Sequence, residues 1–499
     1  MSQILLGIDI GTYSSKGVLV EPNGRVLQTY VVEHSVDIPK PGWAEQDADK
    51  VWWGDVVEIC HSLINSSPYT GADIAGVAIS AIGPCMLPLD SHGKPLRPGI
   101  LYGIDTRASA EIEYLNRIIG ADKIFEFSRM ILSSQAVGPK ILWLKNNEPE
   151  IWKQVDRITT ASSYIIYKLT GEHVIDRHTA SHYIPLMNLQ MEWDPTFADY
   201  IIDIEKLPRL GWSNEIAGVI SPSGAIATGL RSGIPVAVGA VDALSEAISV
   251  GVTDPGDLMI MYGSTAFFIL VQELPTPDRR MWSIAGAYQG QYNLAAGMST
   301  AGSLTRWFRD QLALDLAPET AYSVLFERAS KIPPGSNGLL ILPYFSGERT
   351  PINDPQARGV IAGLTLAHTR DHLFRAILES VAFGIKHNLD TFREIGAQIH
   401  RVVAVGGGTK SRVWPQIVTD VSNTPQIIPK LTIGASYGDA FLAGLATGIL
   451  KKDDIKTWVK QDYIAEPDRK KNEKYQKLYE NYLQLYEKTK NIVHQLGDG

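Results

Sequence analysis

Residues 4–20 read Ile-Leu-Leu-Gly-Ile-Asp-Ile-Gly-Thr-Tyr-Ser-Ser-Lys-Gly-Val-Leu-Val. Two short apolar runs rich in β-branched residues, Ile4 to Ile10 and Val18 to Val20, predict buried strands. The small-residue turn between them, Gly11 to Ser15, is closed by Lys16 and Gly17. Such a turn offers backbone N–H groups, hydroxyls and one cation, which suits a phosphate. Asp9 stands just before it in an otherwise apolar strand. A carboxylate there is costly to bury unless a cation meets it. Mg²⁺ on a nucleotide phosphate is one such cation; a hairpin in which Asp9 caps its own turn is the other reading. The pattern recurs at Asp257 to Val271, where an apolar strand runs into Gly263-Ser-Thr265 and out into a second apolar strand. Two copies about half a chain apart predict two like domains rather than a solenoid of short units.

The 499 residues are enough for two large domains, and 44% hydrophobic with 20% charged residues is ordinary for a globular chain. A formal charge of −8 and the lack of a long basic run give no support to nucleic-acid binding. Cys60 and Cys85 cannot build a disulfide framework and lack metal-ligand spacing. No apolar run approaches a membrane span, and the N-terminal stretch, with Asp9 inside it and no basic flank, is not a signal peptide. A cytoplasmic protein without a membrane partner is expected.

Glu21-Pro-Asn-Gly-Arg25 predicts a turn into a third strand, Val26 to Glu33. Asp49 to Ile64 predicts an amphipathic helix and Ile74 to Ile82 a buried strand, followed by a short strand at Met86 to Leu89. From there strands and helices alternate, which argues for an α/β class. Asp105 and Arg107 follow an apolar strand and, on their own, predict a surface ion pair. Asp242 opens a small-residue helix after the strand that ends at Gly239. It is either an N-cap or a general base whose ionised form the helix N-terminus favours. Ala301-Gly-Ser303 precedes an amphipathic helix, and His372 to Phe392 predicts a long one. Arg401 to Ser411 is a strand, a three-glycine turn and a helix start, where exposed backbone lets a flat ring or a phosphate approach. Tyr475, Tyr479, Tyr482 and Tyr486 stand at helical spacing and predict core packing.

Taken together, these stretches resemble the FGGY carbohydrate kinases, most closely their xylulokinase-like branch. The ordered matches are the N-terminal Gly-Ile-Asp-Ile-Gly-Thr, Gly42-Trp-Ala-Glu-Gln46, Asp105-x-Arg107, Leu169-Thr-Gly171 and Asp242 in the first half. The second half adds Gly263-Ser264, Ala301-Gly-Ser303, Gly347-Glu-Arg-Thr-Pro351 with Ala357-Arg-Gly359, Gly406-Gly-Gly-Thr-Lys-Ser411 and Ala435-Ser-Tyr-Gly-Asp-Ala440. The resemblance implies a two-domain actin-like ATPase fold of the ribonuclease H type, with ATP and sugar in an interdomain cleft. The domains would span residues 1–248 and 249–499.

By the same resemblance, Asp9 serves Mg²⁺ through water, and Thr12, Tyr13 and Lys16 lie by the ATP phosphates opposite Gly263 and Ser264. Gly302, Gly407, Gly408 and Ser411 line the adenosine site, with Arg306 flanking it. Asp242 matches the base that takes the proton of the attacking sugar hydroxyl. Tyr102, Asp105, Arg107 and Phe267 look like sugar-side groups. Where xylulokinases carry Gln-Met-His, this chain carries Ile82-Gly83-Pro84, and losing groups that hydrogen-bond hydroxyls implies a changed substrate. A ketopentose, another ketose, a deoxyketose, a polyol or a gluconate-like sugar acid all fit, and a homodimer is allowed. The alternatives from another class are an actin-like nucleotide switch and a catalytically silent sugar sensor.

Overall fold

The computed structural model describes residues 3–497. β1 (Ile4–Ile10), β2 (Ser14–Val20) and β3 (Val26–Glu33) form an antiparallel meander. β2 starts earlier than its apolar run, so Lys16 and Gly17 lie in the strand rather than in the turn. Backbone pairing, not side-chain hydropathy, sets where a ladder ends, and its register puts Lys16 directly opposite Asp9. A π-helical turn over Ala48–Trp53 opens the first helix, begun by Asp47, whose carboxylate accepts the N–H groups of Asp49 and Lys50. α1 (Gly54–Asn65) follows and buries Val56, Ile59 and Leu63.

β4 (Ile74–Ala81) lies parallel to β1, and β5 (Ile216–Val219), β6 (Pro235–Ala237) and β7 (Ala240–Val241) complete the first sheet. Its order is β5-β6-β4-β1-β2-β3, with β7 also paired to β4. α2 (Asp242–Ser249) leaves directly from β7. The second sheet is built from β8 (Asp257–Tyr262), β9 (Ala266–Gln272), β10 (Trp282–Ala285) and β11 (Tyr292–Met298). After α3 (Gly302–Leu312), α4 (Ala321–Ser330) and α5 (Arg370–Glu394) come β12 (Arg401–Val405), α6 (Val413–Ser422) and β13 (Gln426–Pro429). α7 (Ala435–Ala446), β14 (Gln461–Ala465) and α8 (Arg469–Gly497) close the chain.

The sheet order β10-β11-β9-β8-β12-β13-β14 shows the repeat as architecture. β8, β9 and β11 are an antiparallel meander with β12 parallel to β8, as β1, β2 and β3 are with β4. On α8, Tyr475 and Tyr482 are wholly buried against Phe383 of α5, so the tyrosine stripe is core packing.

One element crosses between the halves. α7, far along the chain, lays Ala440, Phe441 and Ala443 on the first sheet, in one apolar cluster with Leu5, Val18 and Ala78. It also packs against α2 so closely that a Cβ on Gly438 would lie 2.0 Å from the Ser245 carbonyl oxygen. Only glycine permits that approach.

Candidate active site

The first hairpin gathers charge. Ser80 of β4 sits beside Asp9 in the sheet and donates to its Oδ1 at 2.9 Å. The same hydroxyl lies 2.7 Å from Asp439 Oδ2 on α7, and Ser245 of α2 donates to Asp439 Oδ1 at 2.6 Å. Lys16 donates to the Ile433 carbonyl, just ahead of α7. Burial pushes Asp9 up to about 6 against the opposing pull of Ser80 and Lys16. Asp242 is driven to about 8 by burial, by the charge of Asp9 and by Glu246. Glu246, one turn further along α2, rises to about 7 through burial and Asp9, with Lys16 opposing. Burial and Asp9 hold Asp439 well above the usual carboxylate range, and burial lowers Lys16. Asp9 and Glu246 thus act on the Lys16 ammonium, while Asp242 and Asp439 feel the charge of Asp9.

Two expectations for Asp242 are corrected. Val241 occupies the N-cap position, and Asp242, as the first helical residue, accepts the Ala243 N–H at 2.7 Å. The helix N-terminus does not keep it ionised, because burial beside a second carboxylate outweighs a dipole effect of about 1 kcal/mol. The carboxyl-rich donor set fits a hard divalent cation that brings the missing positive charge. Among the described residues no three His, Cys, Asp or Glu side chains converge to ligate one directly, so such an ion would reach Asp9 through water.

Tyr102 bridges to the hairpin, its hydroxyl 3.1 Å from Thr12 Oγ1. It feels the charges of both Asp242 and Arg349. The Asp105–Arg107 pair is fully buried, not on the surface. Arg107 is stacked 4.1 Å from the Trp43 ring centroid and bonds Asp105 and Glu45, while Asp105 also accepts the Ala44 N–H at 2.7 Å. From the same segment Gln46 donates to the Thr12 carbonyl at 2.9 Å. The Gly42–Gln46 loop thus ties the ion pair to the hairpin turn, and the Asp105 N–H donates to the Tyr102 carbonyl at 3.0 Å. Ile82 and Pro84 are buried, Ile82 in the apolar core of the first half. A side chain on Gly83 would meet Val241, next to Asp242.

Phe267 of β9 stacks on Trp282 with ring centroids 6.0 Å apart. Its partner across the ladder is Gly297, and the guanidinium of Arg349 fills the space a Gly297 side chain would take. Arg349 Nη2 donates to the Met298 carbonyl at 2.7 Å. Its Nε is buried without a hydrogen-bond partner, and the Glu348 carboxyl and the Trp282 ring stand near its guanidinium. An arginine so placed calls for an oxygen-bearing ligand. Arg349 and Glu246 have no assigned role in the sequence reading; Arg349 lies inside a matched motif, but its spacing gives no hint of an unpartnered Nε.

A cavity of about 850 Å³ opens beside the second hairpin. Gly263, Ser264, Gly302, Arg306, Gly407, Gly408 and Ser411 all line it, as expected together. The Ser264 carbonyl accepts the N–H groups of Ala301 and Ser303, and the Gly263 carbonyl that of Gly302, so the turn is seated on the start of α3. Trp414, Phe326 and Tyr322 give it an aromatic wall suited to a flat ring. The last two lie four residues apart on α4, a pattern indistinguishable in sequence from core packing. Thr12, Tyr13 and Lys16 do not line this cavity, and Tyr13 is 68% exposed at the tip of the first hairpin.

Two like sheets, each carrying a hairpin over a parallel strand, with carboxylates at one turn and a glycine-lined cavity at the other, define a phosphotransferase of the actin-like kind. The model of the FGGY family of carbohydrate kinases, N-terminal domain, matches residues 4–249, and that of the C-terminal domain matches residues 258–447. The chain belongs to the FGGY family of carbohydrate kinases and is a phosphotransferase acting on a sugar. It is 28% identical to a xylulose kinase of Bacillus subtilis (strain 168) over 98% of this chain and 97% of that one. It is 27% identical to a gluconokinase of the same organism, over 100% and 98%. The crystal structure of xylulose kinase from Rhodospirillum rubrum superposes with a TM-score of 0.92 at 30% identity, covering 99% of this chain and 100% of that one. No helix among the described residues is long and apolar enough to cross a membrane.

Proposed function

We propose that the chain transfers the γ-phosphoryl group of ATP to a hydroxyl of a ketopentose such as xylulose or of a related ketose, with Asp242 as general base. The observation that carries this reading is Asp242 itself. It is a half-buried carboxyl beside the hairpin carboxylate Asp9, with Tyr102 and Arg349 on the acceptor side. Phosphoryl transfer asks the protein mainly for positioning, charge neutralisation and one base. A base held at about 8 is matched to a neutral operating pH, where proton transfer is driven and a usable fraction is ionised.

In this reading Asp242 accepts the proton of the attacking hydroxyl, while Tyr102 and Arg349 hold the acceptor's other oxygens. Lys16 and the turn N–H groups orient the phosphates, and the cavity beside α3 takes the adenosine. Mg²⁺, held through Asp9, would neutralise charge on the β- and γ-phosphates. Release of ADP from Mg-ATP with a panel of ketopentoses, deoxyketoses, polyols and sugar acids tests it. One strong responder is the expected result, and silence across the panel with intact nucleotide binding refutes it.

A second reading, a kinase for a sugar acid, is favoured by the unpartnered Nε of Arg349 and by the likeness to a gluconokinase. The same panel separates the two.

A further inference from the structure

Beside the first hairpin stands a histidine with no role in the chemistry above. His34 follows β3, and its N–H donates to the Tyr13 carbonyl at 3.0 Å. Its ring, buried between the hairpin turn and α1, places Nε2 3.1 Å from the Gly11 carbonyl oxygen and Nδ1 2.8 Å from Asp55 Oδ2. Ser15, at the start of β2 just after that turn, donates to that carboxylate oxygen at 2.5 Å. Neither a backbone carbonyl nor a carboxylate has a proton to give. Both ring nitrogens must therefore be donors, and His34 sits as an imidazolium. A neutral imidazole could serve only one of the two.

We propose that His34 is a positioning residue: held as an imidazolium by Asp55, it fixes the Gly11 carbonyl and so the phosphate-facing turn, and nucleotide affinity falls when it loses its proton. The proposal rests on the reading of that turn as a phosphate site. The groups facing the ring are Asp55 from α1 and the backbone of Gly11 and Thr12 from the turn. Burial disfavours the charged ring, but the Asp55 carboxylate and these backbone oxygens prevail and raise its pKa above the ordinary 6.5. The turn is thus clamped on both sides, by His34 at Gly11 and by Asp55 at Ser15.

The test is the affinity of the full chain for Mg-ADP, measured by calorimetry from pH 5 to 9. His34 is followed by NMR, and thermal unfolding is run at each pH to verify the fold. In the wild type, affinity should drop roughly tenfold as one charge-assisted hydrogen bond is lost, with the midpoint of the His34 titration. Asp55→Asn should move both midpoints down by about one unit, since the carboxylate is what favours the charged ring. His34→Gln should bind weakly with no such step. A purely structural His34 would leave the Asp55→Asn midpoint of binding unmoved, and that result overturns the proposal. So does a wild-type affinity that stays flat while His34 titrates. Absence of Mg-ADP binding at every pH overturns the phosphate-site reading beneath it as well, which keeps the two failures apart.

Discussion

Replacing Asp242 with asparagine separates catalysis from stability. The substitution keeps the shape of the side chain and the acceptor for the Ala243 N–H at 2.7 Å. It removes a carboxyl that burial and Asp9 raise to about 8 from 3.8. In the folded state that group binds a proton which the unfolded chain has already released, so its presence lowers stability progressively as pH rises from about 4 to about 8. At pH 7 each unit above 3.8 is worth about 1.4 kcal/mol, an upper bound of roughly 4 kcal/mol. Relaxation and water entry leave about half, so the variant should gain about 2 kcal/mol, or some 4–8 °C in Tm for a domain of this size. The gain should be largest at pH 8 and vanish near pH 4. Turnover should fall by about 10²–10⁴-fold with nucleotide binding retained. Scanning calorimetry in metal-free buffer at pH 5 and 8, beside an ADP-release assay, reads both effects. A lower Tm than wild type at pH 8, or turnover within tenfold of it, refutes the reasoning.

Arg349→Gln should raise KM for the acceptor by about 10–100-fold and leave KM for ATP unchanged, because its charge reaches Tyr102 and it does not line the cavity proposed for adenosine; equal effects on both constants would count against that placement. Gly438→Ala places a Cβ 2.0 Å from the Ser245 carbonyl oxygen, and neither backbone can yield. It should cost about 3 kcal/mol or more despite alanine's better helix propensity, and an unchanged Tm would contradict the packing of α7 on α2. Residues 1–249 produced alone should form soluble aggregates or bind a hydrophobic dye, since Leu5, Val18 and Ala78 lose their cover; a monomeric, cooperatively unfolding fragment would refute it.

The repeat was legible because a strand–glycine–strand pattern depends only on local chemistry, and both copies lie on the same topology of meander plus parallel strand. The glycines of the second hairpin and of the turn after β12 were legible for the same reason, and one cavity collects them. What could not be read were properties set by distant neighbours. Asp105 and Arg107 look like a surface pair until Trp43 and Glu45, some sixty residues earlier, enclose them. The protonation of Asp242 is decided by its burial and by Asp9, on another strand, and not by its own helix. Phe326 and Tyr322 look like core residues until the cavity that they line together with Trp414 of α6 opens beside them.

The charges of the first hairpin are governed from the far end of the chain. Lys16 is held by the Ile433 carbonyl, and Ser80, which bonds Asp9, also meets Asp439 on α7. α7 is joined to the glycine turn of the cavity through α6 and β13, and it packs on both the first sheet and α2. A displacement of α7 by even an ångström would therefore change the partners of Lys16 and the setting of Asp9 and Asp242 at once, because the Gly438 contact leaves no slack. The helix that covers the first sheet therefore follows in the chain the turn that lines the aromatic cavity and packs beside the carboxylates. The two halves, each carrying one hairpin, are in this way tied together through α7, and the proposed transfer between a nucleotide and a sugar hydroxyl depends on such positioning.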